Sequence, residues 1–143
     1  MLATIALVSF AGSAPADEGV PFRLTGTETS VELVGVNGDT FTLRITVAGE
    51  GTIGSYEEVA YVTFTPVGNT LKLNGITTIT VLDDQGQPTG DEIDTTDSGT
   101  FSNGRNEGSF RIIGGAGLYQ DAGGSGAFKF VAPTETYTGV IHY

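Results

Sequence analysis

Hydrophobic and polar positions alternate along most of this chain. From Thr40 to Val47, Phe41, Leu43, Ile45 and Val47 fall on one face and Thr40, Thr42, Arg44 and Thr46 on the other, which is the two-residue period of a half-buried strand. Arg44 is thereby assigned to solvent. Tyr56 to Thr65 continues the pattern, with Tyr56, Glu58, Ala60, Val62 and Phe64 on one face and Glu57, Val59, Tyr61, Thr63 and Thr65 on the other. Phe22 to Leu33 reads as the first strand, with Gly26 a candidate break, and Thr70 to Leu82 as a long one in which Asn74-Gly75 predicts a bulge or bend. Turn signals stand between the runs at Val36-Asn37-Gly38-Asp39, Pro66-Val67-Gly68-Asn69 and Asn103-Gly104. The last of these separates Gly99 to Asn103 from Glu107 to Ile113 and offers Phe101, Phe110 and Ile112 to a core. Ala127 to Val131 and Tyr137 to Tyr143 close the chain, joined through Ala132-Pro133-Thr134-Glu135. No segment carries a helical period. The expectation is an all-β fold, a closed antiparallel barrel of about eight strands, in which closure removes the exposed edges that a chain with so few lysines is poorly equipped to protect.

Composition narrows the chemistry. At 143 residues the chain suits one domain, and 6 basic against 17 acidic residues give a net charge of −11. Such a surface repels phosphate backbones and anionic headgroups, so no nucleic acid partner is expected. With no cysteine and one histidine, His142, the chain has no thiolate chemistry and no histidine-based metal set or triad; no metal and no cofactor are expected, and His142 reads as exposed and inert.

The first sixteen residues carry no charge, and the acidic character begins abruptly at Asp17. An apolar run from Leu2 to Ala11 followed by Ala14-Pro15-Ala16 has the core and cleavage pattern of a secretory signal without its basic leader. Residues 1–16 are therefore read as a signal-peptide remnant or an apolar N-terminal strand, and 17–143 as the single barrel domain, secreted or at the periplasm or cell surface. The run is shorter than the roughly 20 residues that a stable membrane span requires. As a strand it could be donated to a neighbouring subunit's open edge, giving a homo-oligomer or polymer.

After Asp83 comes an acidic stretch, DDQGQPTGDEIDTTD. Its carboxylates lack the spacing of an EF-hand loop, and a solvated hairpin loop is the plainer reading than a calcium site.

Between the strands SFRII and AFKFV lies Gly114-Gly115-Ala116-Gly117-Leu118-Tyr119-Gln120-Asp121-Ala122-Gly123-Gly124-Ser125-Gly126. With Gly99-Thr100-Phe101 and Glu107-Gly108-Ser109-Phe110-Arg111-Ile112 before it, the segment resembles a pattern of allene-oxide-cyclase-like and dirigent-like barrels. The resemblance covers about the last 45 residues by motif and the rest by strand pattern. It implies an eight-stranded barrel, often oligomeric, whose lumen in some members holds an unsaturated lipid- or polyketide-like substrate during cyclisation. The functional residues of those enzymes do not map one by one onto this chain. Leu118 and Tyr119 are expected to turn inward and plug a barrel end. A dinucleotide role for the glycines fails, because no βαβ unit surrounds them.

Parity then nominates a lumen. Tyr56, Glu58, Phe64, Tyr119 and Tyr137 are the candidate ligand-binding residues, with Glu58 placed at the barrel mouth, where partial desolvation would raise its pKa and Tyr56 would be its hydrogen-bonding neighbour. Ile141 and Tyr143 share the face of Tyr137, while Arg111 points outward. The expected function is a small hydrophobic ligand held in the lumen, or a stable extracellular module without chemistry. The alternatives are a cofactor-free cyclase or isomerase and a structural subunit built by strand donation. No catalytic residue is assigned.

Overall fold

The computed structural model describes residues 19–143, so the apolar N-terminal segment lies outside the described residues. Eight strands follow one another: β1 (Val20–Asn37), β2 (Thr40–Gly51), β3 (Gly54–Val67), β4 (Thr70–Leu82), β5 (Pro88–Ser102), β6 (Arg105–Ala116), β7 (Gly123–Val131) and β8 (Thr134–His142). A single 3-10 turn, Gly117–Tyr119, connects β6 to β7. Each strand pairs antiparallel with the next, and β8 returns to β1 from Val20↔Ile141 to Thr27↔Thr134, closing the sheet into a ring. No helix among the described residues is long and apolar enough to cross a membrane.

The alternation seen in the sequence becomes an inside and an outside. On β3, Tyr56, Glu58, Ala60, Val62 and Phe64 point inward and are buried, as their shared face required. Phe22, Leu24, Ile79, Ile93 and Ile141 are almost completely enclosed at the centre. Tyr137 joins three phenylalanines there, its ring centroid 5.1 Å from that of Phe110 and 6.3 Å from those of Phe22 and Phe128. Ring pairs at these separations add to the stabilisation from buried area.

Several expectations change. Gly26 does not break β1, whose irregularities fall instead between Glu28 and Ser30 and between Leu33 and Gly35. Asn74-Gly75 stays in regular register with both neighbours, so no bulge forms, and Gly75 faces the interior. The acidic stretch is mostly strand. Only residues 83–87 form the loop, held by the Asp83 carboxylate, which accepts the backbone N–H groups of Gln85 and Gln87 at 2.9 Å each. From Pro88 onward the acids alternate within β5, so half of them face outward at no desolvation cost. The turn before β8 is shorter than expected, which puts Glu135 inside a strand. Leu118 is 58% exposed and Tyr143 and Phe101 also lie at the surface, while Tyr119 turns inward as expected. Arg111 is exposed, and His142 is half-buried rather than free, with Gly19 packed against its ring.

The two ends of the ring differ. At one, Tyr119 packs against Tyr143 at 5.0 Å and, with Ala122, covers the interior. At the other, β1 runs on past its pairing with β8. Among the described residues, positions 30–37 of β1 pair with β2 alone and expose Val31, Leu33, Val34 and Val36. That edge is where a donated strand would add; its expected donor, Leu2 to Ala14, lies outside the described residues.

Tight curvature depends on glycines that face each other across strands. Gly126 pairs with Gly139, and the Phe110 ring lies over both. A Cβ on Gly126 would fall onto the carbonyl oxygen of Thr138 and stand 2.8 Å from Phe110. Gly126→Ala is therefore expected to cost about 1–3 kcal/mol, the range for overpacking a filled core. Urea denaturation should show an earlier midpoint at unchanged slope, while Ser125→Ala, on the outer face, should leave the midpoint in place.

Candidate functional site

Inward parity on four strands delivers polar side chains to one level of the interior. β3 brings Glu58, β4 Thr77, β5 Thr95 and Asp97, and β8 Glu135, with Asn106 of β6 beside them. Glu58 is 2% exposed, Glu135 and Asp97 7%, and Asn106 8%. Asp97 is well served, since its carboxylate accepts the Thr77 hydroxyl at 2.6 Å and the Thr95 hydroxyl at 3.0 Å. Gly75 lies beside this carboxylate, where a Cβ would make near-ordinary contact at 3.4 Å from Asp97 Oδ2. Gly26 leaves the space that the Tyr56 hydroxyl occupies, since a Cβ there would stand 2.5 Å from it, and lies opposite Glu135 on the neighbouring strand.

Glu58 and Glu135 stand close enough to share a proton, and Tyr137 lies beside Glu58. Burial, then the charge and hydrogen bond of Glu135, push the Glu58 carboxyl well above its usual range. Glu135 is pushed up to about 7, chiefly by burial, with its bond from Glu58 pulling the other way. The pair thus keeps a proton that a solvated pair would lose, an arrangement in which two close carboxyls hold one negative charge between them. Burial also raises Asp97, although the threonine hydroxyls oppose it. Tyr56 and Tyr137 are raised by burial and by the acids around them, so both phenols stay protonated donors.

The cluster is not saturated. Tyr56 Oη, Glu58 Oε2, Glu135 Oε2 and Asn106 Oδ1 are buried without a partner. Glu58, Glu135 and Asn106 line a cavity of about 30 Å³, enough for one or two water-sized groups. Next to it, toward the end where β1 overhangs, opens an apolar vestibule of about 210 Å³ walled by Val31, Phe41, Leu43, Phe64, Leu71 and Phe101. Phe41 and Phe64 stack there at 5.2 Å. Ile45, Asn106 and Phe130 border both spaces, so the vestibule lies against the cavity that Glu58 and Glu135 line.

Of the residues nominated from sequence, Tyr56, Glu58 and Tyr137 come together in the cluster and Phe64 lines the vestibule. Tyr119 belongs to the opposite, covered end and touches neither. Glu58 is not at a mouth: β3 starts at Gly54 beside the covered end, so position 58 already lies deep inside. Asp97, Glu135, Asn106 and Thr77 were not nominated. For Asp97 the signal was its two-residue step from Ile93 through Thr95, and for Glu135 its shared parity with Tyr137. Among the described residues no three His, Cys, Asp or Glu side chains are grouped to hold a metal ion.

No protein-family model matches this chain, and no curated protein or solved structure matches it.

The raised acids make stability pH-dependent in a definite direction. A carboxyl whose folded pKa exceeds its unfolded value near 4.5 keeps the folded state more protonated, so its contribution is present below that value and is lost as pH rises through the folded pKa. Melting temperature is expected to fall between pH 5 and pH 8, with Glu135 acting near 7. The double variant Glu58→Gln, Glu135→Gln should flatten that slope in thermal scans; an unaltered slope would show that these two acids do not titrate with folding.

Proposed function

We propose that this protein is a small β-barrel that binds a compact hydrophobic ligand through the vestibule at its overhung end, without covalent chemistry. The carrying observation is the vestibule itself: an apolar space of about 210 Å³ that opens at one end of the ring and has the unpartnered Asn106 in its wall, next to the cavity lined by Glu58 and Glu135. Ligand sites commonly combine apolar walls with a few polar groups that fix orientation. The volume suits a short alkyl chain or a single ring, since an apolar cavity of roughly 150 Å³ accepts a benzene-sized guest. The covered end, sealed by Tyr119 and Ala122, makes entry one-sided.

A second reading, a cofactor-free cyclase or isomerase, has one observation in its favour, the proton held between Glu58 and Glu135. The inner cavity of about 30 Å³ admits a water-sized group rather than a substrate skeleton, which favours binding over turnover.

Titration with 1-octanol, followed by NMR, tests the binding reading. Chemical-shift changes are expected at Phe41, Leu43, Phe64 and Phe101, with none at Tyr119, and Leu43→Arg should abolish them. Shifts spread over the outer surface, or none at saturating octanol, would reject the vestibule as a site.

A further inference from the structure

The floor of the vestibule has an unusual donor and acceptor balance. Facing the small inner cavity are Glu58, Glu135 and Asn106, each more than nine-tenths buried and each with one unpartnered oxygen. Asn106 Oδ1 and the outer carboxylate oxygen of Glu135 are acceptors only, and Glu58 Oε2 becomes one when its proton lies toward Glu135. Among the described residues no cation answers them. All six basic residues, Arg23, Arg44, Lys72, Arg105, Arg111 and Lys129, sit at outward positions and none is buried. The titratable groups around the cavity are Glu58 and Tyr56 from β3, Asp97 from β5, and Glu135 and Tyr137 from β8; β2, β4 and β6 contribute only Ile45, Thr77, Leu73 and Asn106.

Leaving buried acceptors unmet costs on the order of 1–3 kcal/mol for each group, and more for charged ones. A ligand that supplies three donors on a head the size of a water molecule would satisfy all three at once. A primary ammonium has that shape and donor count. Its positive charge would also offset the negative charge that the carboxyl pair holds in a poorly solvated space, where pairing is required to stabilise ions. An alcohol offers one donor, and a carboxylate offers none while adding like charge. The apolar vestibule begins where the inner cavity ends, across Ile45, Asn106 and Phe130, so a chain attached to the head would run outward between Phe41, Leu43, Phe64 and Phe101.

We propose that the site takes a primary alkylammonium ion, its head meeting Glu58, Glu135 and Asn106 in the inner cavity and its alkyl chain filling the vestibule. The inference rests on the vestibule reading and specifies its ligand class. Binding is coupled to protons: the ammonium stabilises both carboxylates, so Glu58 gives up its proton to solvent as the amine enters, and affinity rises with pH while the amine stays charged.

The test compares octylamine, 1-octanol and octanoate by calorimetry on the full chain at physiological salt, in buffers of different ionisation enthalpy. Octylamine is expected to bind at least tenfold more tightly than octanol at pH 8, with octanoate undetected. Its advantage should shrink at pH 5, and the heat should vary with buffer as a proton is released. Glu135→Gln and Asn106→Leu, both close in shape to the native side chains, should each reduce octylamine binding more than octanol binding, so that the tenfold preference collapses toward parity; a cooperative thermal transition reports that each variant is folded. Glu107→Gln, at an exposed acid, should change neither, which separates the site from general attraction to an acidic surface. Equal affinity for octylamine and octanol would overturn the ammonium assignment and leave the vestibule reading standing. Failure of all three ligands to bind would overturn both. Octylamine binding undiminished in Glu135→Gln and Asn106→Leu would place the amine elsewhere and overturn the assignment.

Discussion

Pairing of β8 back onto β1 is the constraint on which the rest of this molecule depends. In an open sheet, either face of a strand can meet solvent; once residues 20–27 are joined to residues 134–141, every strand has one face committed to a shared interior. The interior of an eight-stranded ring is narrow, and whatever parity places there must pack against whatever parity places opposite. The paired glycines follow from this. Gly126 and Gly139 let the backbones of β7 and β8 approach beneath Phe110, and Gly99 and Gly108 do the same between β5 and β6. The same closure turns a run of acidic residues into a buried feature, because once Ile93 and Thr95 point inward, Asp97 has no other direction to take without a bulge.

That commitment is costly, and the polar belt shows how the cost is distributed. Asp97 is surrounded by two threonine hydroxyls, Thr77 and Thr95, on facing positions of β4 and β5, so its charge is solvated by the protein itself. Glu58 and Glu135 have each other and one proton, which removes one charge but leaves an oxygen on each carboxyl without a partner. An apolar side chain of similar volume at either position would remove the penalty altogether. Fold stability therefore gives no account of these two residues, whereas a site that must recognise a polar group at the end of an apolar passage does. The belt also lies at the boundary between the packed core of Phe22, Phe110 and Tyr137 and the vestibule, where a ligand entering from the overhung end would reach it.

Legibility from sequence followed the strength of the local pattern. The hairpins at Gly38, Gly68 and Gly104 and the two faces of β3 were readable because alternation and turn residues agree there. β5 was not, because Gly86, Pro88, Gly90 and five acids over residues 83–94 have the composition of a loop, and only Ile93 interrupts it; ladder pairing with β4 and β6 overrides that propensity. Glu135 was hidden by its place just after Pro133, where a turn of four residues and a turn of two are equally compatible with the residues. The depth of Glu58 was misjudged for a different reason: parity states which way a side chain points and nothing of how far along the ring it lies, a quantity set by the stagger of neighbouring strands. Asn106 carried no signal at all, being one polar residue beside a turn.

The asymmetry of the two ends gives these features a common direction. The chain could have covered both ends of its ring, as Tyr119 and Ala122 cover one of them. Instead β1 continues beyond its pairing with β8 at the other, keeping Val31, Leu33 and Val36 on the face that overlooks Phe41 and Leu43, with no strand among the described residues on its free side. An extension that exposes apolar side chains is unfavourable in water unless something covers them. A ligand chain emerging from the vestibule would contact the inner part of this wall first, at Val31 and Leu43. The overhang thus extends the apolar surface available to longer chains without enlarging the enclosed space, so selectivity for the head group would be set at the carboxyl pair and tolerance for tail length at the overhang.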